Sequence, residues 1–138
     1  MLPDYQKDLT ANIEAALNED IGSGDITAQL IPANKHAKAT VITREEGILC
    51  GTEWVNAVFE HVSPELVINW TFKDGDTIHA NDVLFTIEGP ARAILTAERC
   101  ALNFLQTLSG TATISNNYSR LVSHTQVKLL DTRKTIPG

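Results

Sequence analysis

No stretch of this chain approaches the ~18 consecutive apolar residues of a membrane-spanning helix. Its opening, Met1-Leu2-Pro3-Asp4, has neither the basic patch nor the hydrophobic segment of a secretory leader, so a cytosolic protein is expected. Cysteine is scarce as well. Cys50 and Cys100 form no CxxC pair and join no His/Cys cluster, which leaves reduced core thiols instead of a metal or redox site. Basic residues are outnumbered, 11 Lys and Arg against 17 Asp and Glu, for a formal charge of −6, the reverse of what non-specific nucleic-acid binding requires. Internal repeats, low-complexity tracts and blocks of like charge are missing too. What is present, 43% hydrophobic residues in a chain of 138, suffices for one core near the lower end of comfortable domain size. If a polyanionic ligand binds so acidic a chain, a few placed cations must outweigh the field of the whole.

The apolar pattern divides the chain into short elements. Leu9, Ile13, Ala16, Leu17 and Ile21 recur at helical spacing, and Gly22-Ser-Gly-Asp25 then supplies a helix stop and a turn. Lys38 to Arg44 alternates small or apolar with polar side chains, and Gly47-Ile-Leu-Cys-Gly51 continues as a second extended piece. Trp54, Val55, Val58, Phe59 and Val62 share one helical face that Ser63-Pro64 ends. Leu66 to Phe72 alternates again, Asp74-Gly75 is a turn pair, and Val83 to Ile87 is a β-rich run ending at Gly89-Pro90. A long helix follows, with Thr96 as its expected N-cap, Glu98 in its first turn, and Ala97, Ala101, Phe104, Leu105, Leu108 and Ala112 on one face. It is expected to run, with a kink near Gly110, to about Leu121-Val122. Val127 to Leu130 is a short strand candidate that needs neighbours to be stable and so is expected to open a further domain.

Two groups of residues stand out as carriers of chemistry. Arg99, Asn103, Gln106 and Gly110 form a polar stripe beside the apolar one, followed by the small side chains Ser109 to Thr113. That stripe is either a solvated face leading into a tight helix contact or a surface presented to a partner subunit. Gly110 bears on the choice, because a helix-interior glycine costs ~1 kcal/mol relative to Ala and signals close approach of a backbone or ligand. The second group, Asp131-Thr132-Arg133-Lys134-Thr135, follows the strand candidate where parallel α/β folds place their binding loops. An Arg fork there can hold a carboxylate and a Lys a phosphate, although a solvated basic turn would read the same way. His36, His61, His79 and His124 lack ligand spacing, and Glu45-Glu46 sits at a turn as ordinary solvated acids. The Gly22-Ser-Gly-Asp25 segment ends a helix instead of opening one, so it is no phosphate loop.

Glu98-Arg99-Cys-Ala-Leu-Asn103-Phe-Leu-Gln106-Thr-Leu-Ser109-Gly110-Thr-Ala-Thr113, with Asp131-Thr-Arg-Lys-Thr-Ile-Pro-Gly138 downstream, resembles the two signature stretches of the quinolinate phosphoribosyltransferase family. Leu17-Asn-Glu-Asp20-Ile21-Gly-Ser-Gly-Asp25-Ile-Thr27, Gly47-Ile-Leu-Cys-Gly51 and Asp74-Gly-Asp76 are similar to the family as well, in the same order along nearly the whole chain. The resemblance implies an α+β fold: an N-terminal open α/β sandwich over residues 1–110, then the start of an α/β barrel over 111–138 that is truncated here. It implies a homodimer with shared sites, in which Arg99 reaches into the partner's barrel while Arg133 and Lys134 line the barrel mouth of their own subunit. The implied enzyme is a glycosyltransferase that joins quinolinate to the ribose of phosphoribosyl pyrophosphate and releases pyrophosphate and carbon dioxide. Its product, nicotinate mononucleotide, feeds NAD biosynthesis.

By the same resemblance Arg99, Arg133 and Lys134 are catalytic, and with Thr132 they bind substrate: the arginines take the substrate carboxylates, Lys134 the substrate or pyrophosphate, and Thr132 offers a hydroxyl. Magnesium is expected to come with phosphoribosyl pyrophosphate, its protein ligands and the remaining barrel cations lying beyond Gly138, so no metal ligand falls in this chain and the chain alone is expected not to turn over. The alkylated pyridinium ring can itself accept the electrons of the breaking carboxylate bond, so no electron-sink cofactor is needed. Other readings stay open. One is a related phosphoribosyltransferase with a different substrate. Another is a carrier module, because Asp74 to Glu88 looks like the hairpin of biotinyl and lipoyl domains, with Lys73 as the nearest lysine. A third is an interaction module that uses the Gly110 region without the arginines.

Overall fold

The computed structural model describes residues 5–132 and 134–135. Its elements are α1 (Gln6–Ile21), α2 (Ile26–Gln29), β1 (His36–Ile42), β2 (Gly47–Ile48), α3 (Thr52–Val62), β3 (Val67–Trp70), β4 (Thr77–Ile78), β5 (Val83–Pro90) and α4 (Ala91–Val122). Three strands form one antiparallel sheet in the order β1-β5-β3, and β2 pairs with β4 in a separate two-stranded sheet. The fold is α+β.

Strand alternation assigns the two faces of the larger sheet. Lys38, Thr40, Val67, Asn69 and Glu88 point outward and are exposed. Phe85 and Ile87 of the central strand point inward and are fully buried. Against that inner face packs α4, α3 lies along α4 and reaches the sheet through Phe59 on Phe85, and α1 closes the layer. Among the described residues no helix covers the outer face, so the arrangement is the open sandwich expected from the sequence. The exposed Lys38–Glu88 pair at 4.0 Å across that face adds little, because two solvated side chains must be held in one geometry for a weakly attractive contact.

Aromatic packing centres the core on Phe85. Its ring lies 6.3 Å from Phe59 in an edge-on arrangement and 4.5 Å from Trp70, whose indole N–H is satisfied by Asn56 Oδ1 at 2.9 Å. Leu49, Val55, Val58 and Ile87 are the other large fully buried side chains, each contributing about 1.5–3 kcal/mol through removal from water. Leu9, Ile13 and Leu17 bury the predicted stripe of α1, and Val55, Val58 and Phe59 that of α3. The start of α3 is stabilised from a distance. The Asp74 carboxylate accepts the N–H groups of Gly51 and Thr52 at 3.0–3.1 Å, which gives the Asp-Gly turn a second task as the anion at a helix N-terminus.

Several local expectations are corrected. The long helix begins at Ala91, so Thr96 and Glu98 lie inside it. β5 runs into α4 without a loop: Pro90 is both paired with His36 in the sheet and the residue before the helix, and the Ala91 N–H goes to Lys35 O at 2.8 Å. The short α2 follows the first turn and is capped by Asp25, which accepts the Ala28 N–H at 3.0 Å. Val127 to Leu130 forms no strand; it is exposed, and among the described residues no strand pairs with it, so alternation alone has no ladder to join. The arms of the Asp74 to Glu88 segment enter different sheets, β4 against β2 and β5 between β1 and β3, instead of pairing with each other as a carrier hairpin.

Gly110 is a further correction. A Cβ there would meet nothing within 4 Å among the described residues, so none of them makes the close approach its position suggested. The tight contact forms at other glycines. Gly47 and Gly51 bring the 47–51 segment onto α4, where a Cβ on Gly47 would lie 2.8 Å from Thr113 Oγ1 and one on Gly51 2.9 Å from Leu108 Cδ1. Gly51 also has φ +110°, which side chains rarely adopt. Thr113 Oγ1 accepts the Ile48 N–H at 2.9 Å, while Ser109 Oγ accepts the Cys50 N–H at 3.0 Å and donates to Cys50 O at 3.1 Å. The small residues at the end of the first signature therefore satisfy backbone groups that β2 cannot pair along α4.

Candidate functional site

Helical spacing places Arg99, Asn103 and Gln106 on one side of α4, and all three line a cleft of about 880 Å³. Its other wall is built from the C-terminal end of α1 and the turn into α2, including Glu19, Asp20, Asp25 and Thr27. Leu102 and Phe104 supply apolar lining. Gly110, the last member of the predicted stripe, lies outside this cleft and lines a neighbouring groove with Ser109 and Thr113.

Asp20 holds Arg99 from behind. The Arg99 Nε–H donates to Asp20 Oδ1 at 2.6 Å, and Nη2 reaches Asp20 O at 3.4 Å. That carbonyl belongs to the last turn of α1, where backbone oxygens lack intrahelical partners and the helix end is partially negative. The guanidinium side chain is still 74% exposed whereas that of Asp20 is 21% exposed, so the acid is the packed partner and the cation the presented one. Hydrogen bonding to Asp20 and its charge raise the Arg99 pKa further above its ordinary value. The Ala28 N–H holds the Asp25 carboxyl below the usual range; partial burial opposes this, and the Thr96 side chain and the Arg99 charge add to it.

Charge balance limits what this cleft can do by itself. Among the described residues that line it, Glu19, Asp20, Asp25 and Glu98 accompany a single Lys or Arg cation, Arg99. One presented guanidinium can fork a carboxylate or phosphate, but a ligand with several negative charges needs further cations from elsewhere. Cys100 is buried in the lining of the cleft, and desolvation pushes its thiol up, as expected of a packing residue. Cys50 is half-buried with its thiol likewise raised by burial.

The second predicted group lies apart. Thr132 and Lys134 are exposed, linked by the Lys134 N–H to Thr132 Oγ1 at 3.3 Å, and neither lines the cleft of Arg99. Arg133 falls outside the described residues. Among the described residues no group of three His, Cys, Asp or Glu side chains converges to hold a metal ion, and no helix is long and apolar enough to cross a membrane. Sequence reasoning missed the role of Asp20. The Leu17 to Thr27 segment carried the family resemblance, but no periodicity links residue 20 to a side chain 79 positions away.

Residues 25–109 match the family model described as quinolinate phosphoribosyl transferase, N-terminal domain. The chain is 38% identical over 120 residues to a probable carboxylating nicotinate-nucleotide pyrophosphorylase of Bacillus subtilis, covering 87% of this chain and 42% of that protein. It is 40% identical over 133 residues to the chloroplastic carboxylating nicotinate-nucleotide pyrophosphorylase of Arabidopsis thaliana, covering 95% of this chain and 38% of that one. The solved nicotinate-nucleotide pyrophosphorylase of Francisella tularensis superposes with a TM-score of 0.92 at 45% identity, over 99% of this chain and 48% of its own. The chain thus spans less than half the length of each of these relatives.

Proposed function

This chain belongs to the quinolinate phosphoribosyltransferase family, and from that premise we propose that the protein containing it transfers the phosphoribosyl group of phosphoribosyl pyrophosphate to quinolinate. Carbon dioxide and pyrophosphate leave, and nicotinate mononucleotide for NAD synthesis remains. Residues 1–110 are the sandwich domain, and residues 111–138 lead into a barrel domain in this reading. The single observation that carries the site is Arg99, exposed at the mouth of a cleft with its back held by Asp20. A guanidinium so presented suits a substrate carboxylate that arrives from outside the chain.

The acid-rich surroundings of Arg99 and the absence of Thr132 and Lys134 from its cleft favour a site completed between two subunits. In such a homodimer Arg99 of one protomer meets Arg133, Lys134 and Thr132 of the other, so that several cations converge on a dicarboxylate and a pyrophosphate. Charge that develops on the leaving pyrophosphate, and charge that the substrate carboxylates carry from the start, are then met by fixed cations, and catalysis is chiefly positioning and electrostatics. Magnesium accompanies phosphoribosyl pyrophosphate in this scheme. Among the described residues no group of three His, Cys, Asp or Glu side chains converges to hold it. Two free cysteines fit a reducing compartment, and we place the protein in the cytosol.

The test is nicotinate mononucleotide formation by the full-length protein that carries this chain, supplied with quinolinate, phosphoribosyl pyrophosphate and magnesium. Stoichiometric product and carbon dioxide are expected. A folded protein that makes no product from quinolinate but accepts another pyridine acid would place it with a sister phosphoribosyltransferase.

A further inference from the structure

We infer that Asp20 is a positioning residue for Arg99, one that fixes which edge of the guanidinium receives the substrate carboxylate. The inference deepens the function proposed above and rests on it. A guanidinium offers two ways to fork a carboxylate, through Nε with one terminal nitrogen or through both terminal nitrogens. Asp20 Oδ1 takes the Nε–H at 2.6 Å, and Asp20 O faces Nη2 at 3.4 Å, so the first edge is occupied. The edge formed by Nη1 and Nη2 is left for a ligand.

Three features make this contact a support and not a passing surface pair. Asp20 is mostly packed while Arg99 is mostly exposed, so the geometry is set from the acid's side. Both the carboxylate and the main-chain carbonyl of the same residue act, which ties the direction of the guanidinium to the axis of α1. The end of α1 is itself anchored, through Leu17 in the core and the Gly22 N–H to Asn18 O at 3.2 Å. A long side chain otherwise free to sample many rotamers is thereby held in one, and the ordering that substrate binding would have to impose is already done.

The experiment uses the full-length protein with Asp20→Asn and Asp20→Ala. Asparagine keeps an acceptor oxygen and loses the charge; alanine loses both. Positioning predicts a quinolinate KM raised more than tenfold in Asp20→Ala and less in Asp20→Asn, with the KM for phosphoribosyl pyrophosphate and the thermal midpoint unchanged in both. It also predicts that the Arg99 Nε–H resonance, slow to exchange in the unaltered protein, exchanges rapidly in Asp20→Ala. An unchanged or lowered quinolinate KM in Asp20→Ala would overturn the inference, the lowered value showing that Asp20 competes with substrate for the cation. If the unaltered protein makes no nicotinate mononucleotide, the proposed reaction fails by itself. The Nε–H exchange still reports whether Asp20 holds Arg99, and an Nε–H that exchanges rapidly in the unaltered protein also refutes the positioning role. Should Asp20→Ala not fold, Asp20→Asn carries the same comparisons.

Discussion

Two neighbouring stretches of α4 face different things. Arg99, Asn103 and Gln106 line an open cleft, whereas Ser109 and Thr113, beginning one turn later, hydrogen-bond the main chain of residues 48–50. The first stretch presents polar groups to whatever enters, and the second uses them to satisfy backbone groups on the side of residues 48–50 that faces α4. A signature contiguous in sequence therefore joins a recognition surface to a structural clamp, and a shared motif is no guarantee of a shared task.

Substitutions on the two stretches should separate cleanly. The largest effect is expected for Arg99→Ala in the full-length protein, a fall in kcat/KM on the order of 10²-fold or more, near 3 kcal/mol, with a thermal midpoint almost unmoved because the residue is exposed. A loss smaller than twofold in steady-state assays would remove Arg99 from the site. Gly51→Ala should do the reverse. The new methyl meets Leu108 Cδ1 at 2.9 Å on a backbone with φ +110°, so a destabilisation of about 2–3 kcal/mol is expected by denaturant titration, with kcat/KM per folded molecule within about twofold. A matching loss of activity in the folded fraction would mean that clamp and cleft are one unit.

The smallest effect concerns acid. Asp25 has its pKa lowered in the folded state, chiefly by the Ala28 N–H, so its contribution is present above the unfolded carboxylate pKa of about 3.9 and is lost as pH falls through the lower folded value. The α2 cap should accordingly loosen only below about pH 4. Exchange of the Ala28 amide followed against pH would show this, and loosening already near neutrality would contradict it.

Much of this architecture could be read from residue pattern. The stripes of α1 and α3 are regular and end in strong punctuation, Gly22 in one case and Ser63-Pro64 in the other, so both helices were legible. The start of α4 was not, because Gly89-Pro90 looks like a stop when it is the junction through which β5 passes into the helix. The stripe of Ala91, Ile94 and Ala97 continues back past Thr96, but alanines carry a weak signal. The pairing of β2 with β4 has only two residues on each strand, too short for alternation to register. At the site, Arg99, Asn103 and Gln106 followed from helical spacing, and membership of the family followed from the signatures. Asp20 did not follow, since its bond to Arg99 exists only after α1 and α4 have docked. Gly110 misled because a glycine's meaning depends on its neighbour, and the glycines that α4 needs close to it are Gly47 and Gly51.

The order of strands also fixes a sequence of events during synthesis. β5 is the central strand of the larger sheet, yet both of its neighbours, β1 and β3, are made before it. Until residues 83–90 leave the ribosome, those two have no ladder to join within this sheet and display unpaired edges. The sheet can therefore be completed only once β5 is available to pair with both partners, and the same strand carries Phe85 and Ile87 into the core. A chain released before Val83 would hold two strands and nothing between them, a substrate for chaperones and proteases instead of a shorter version of the fold.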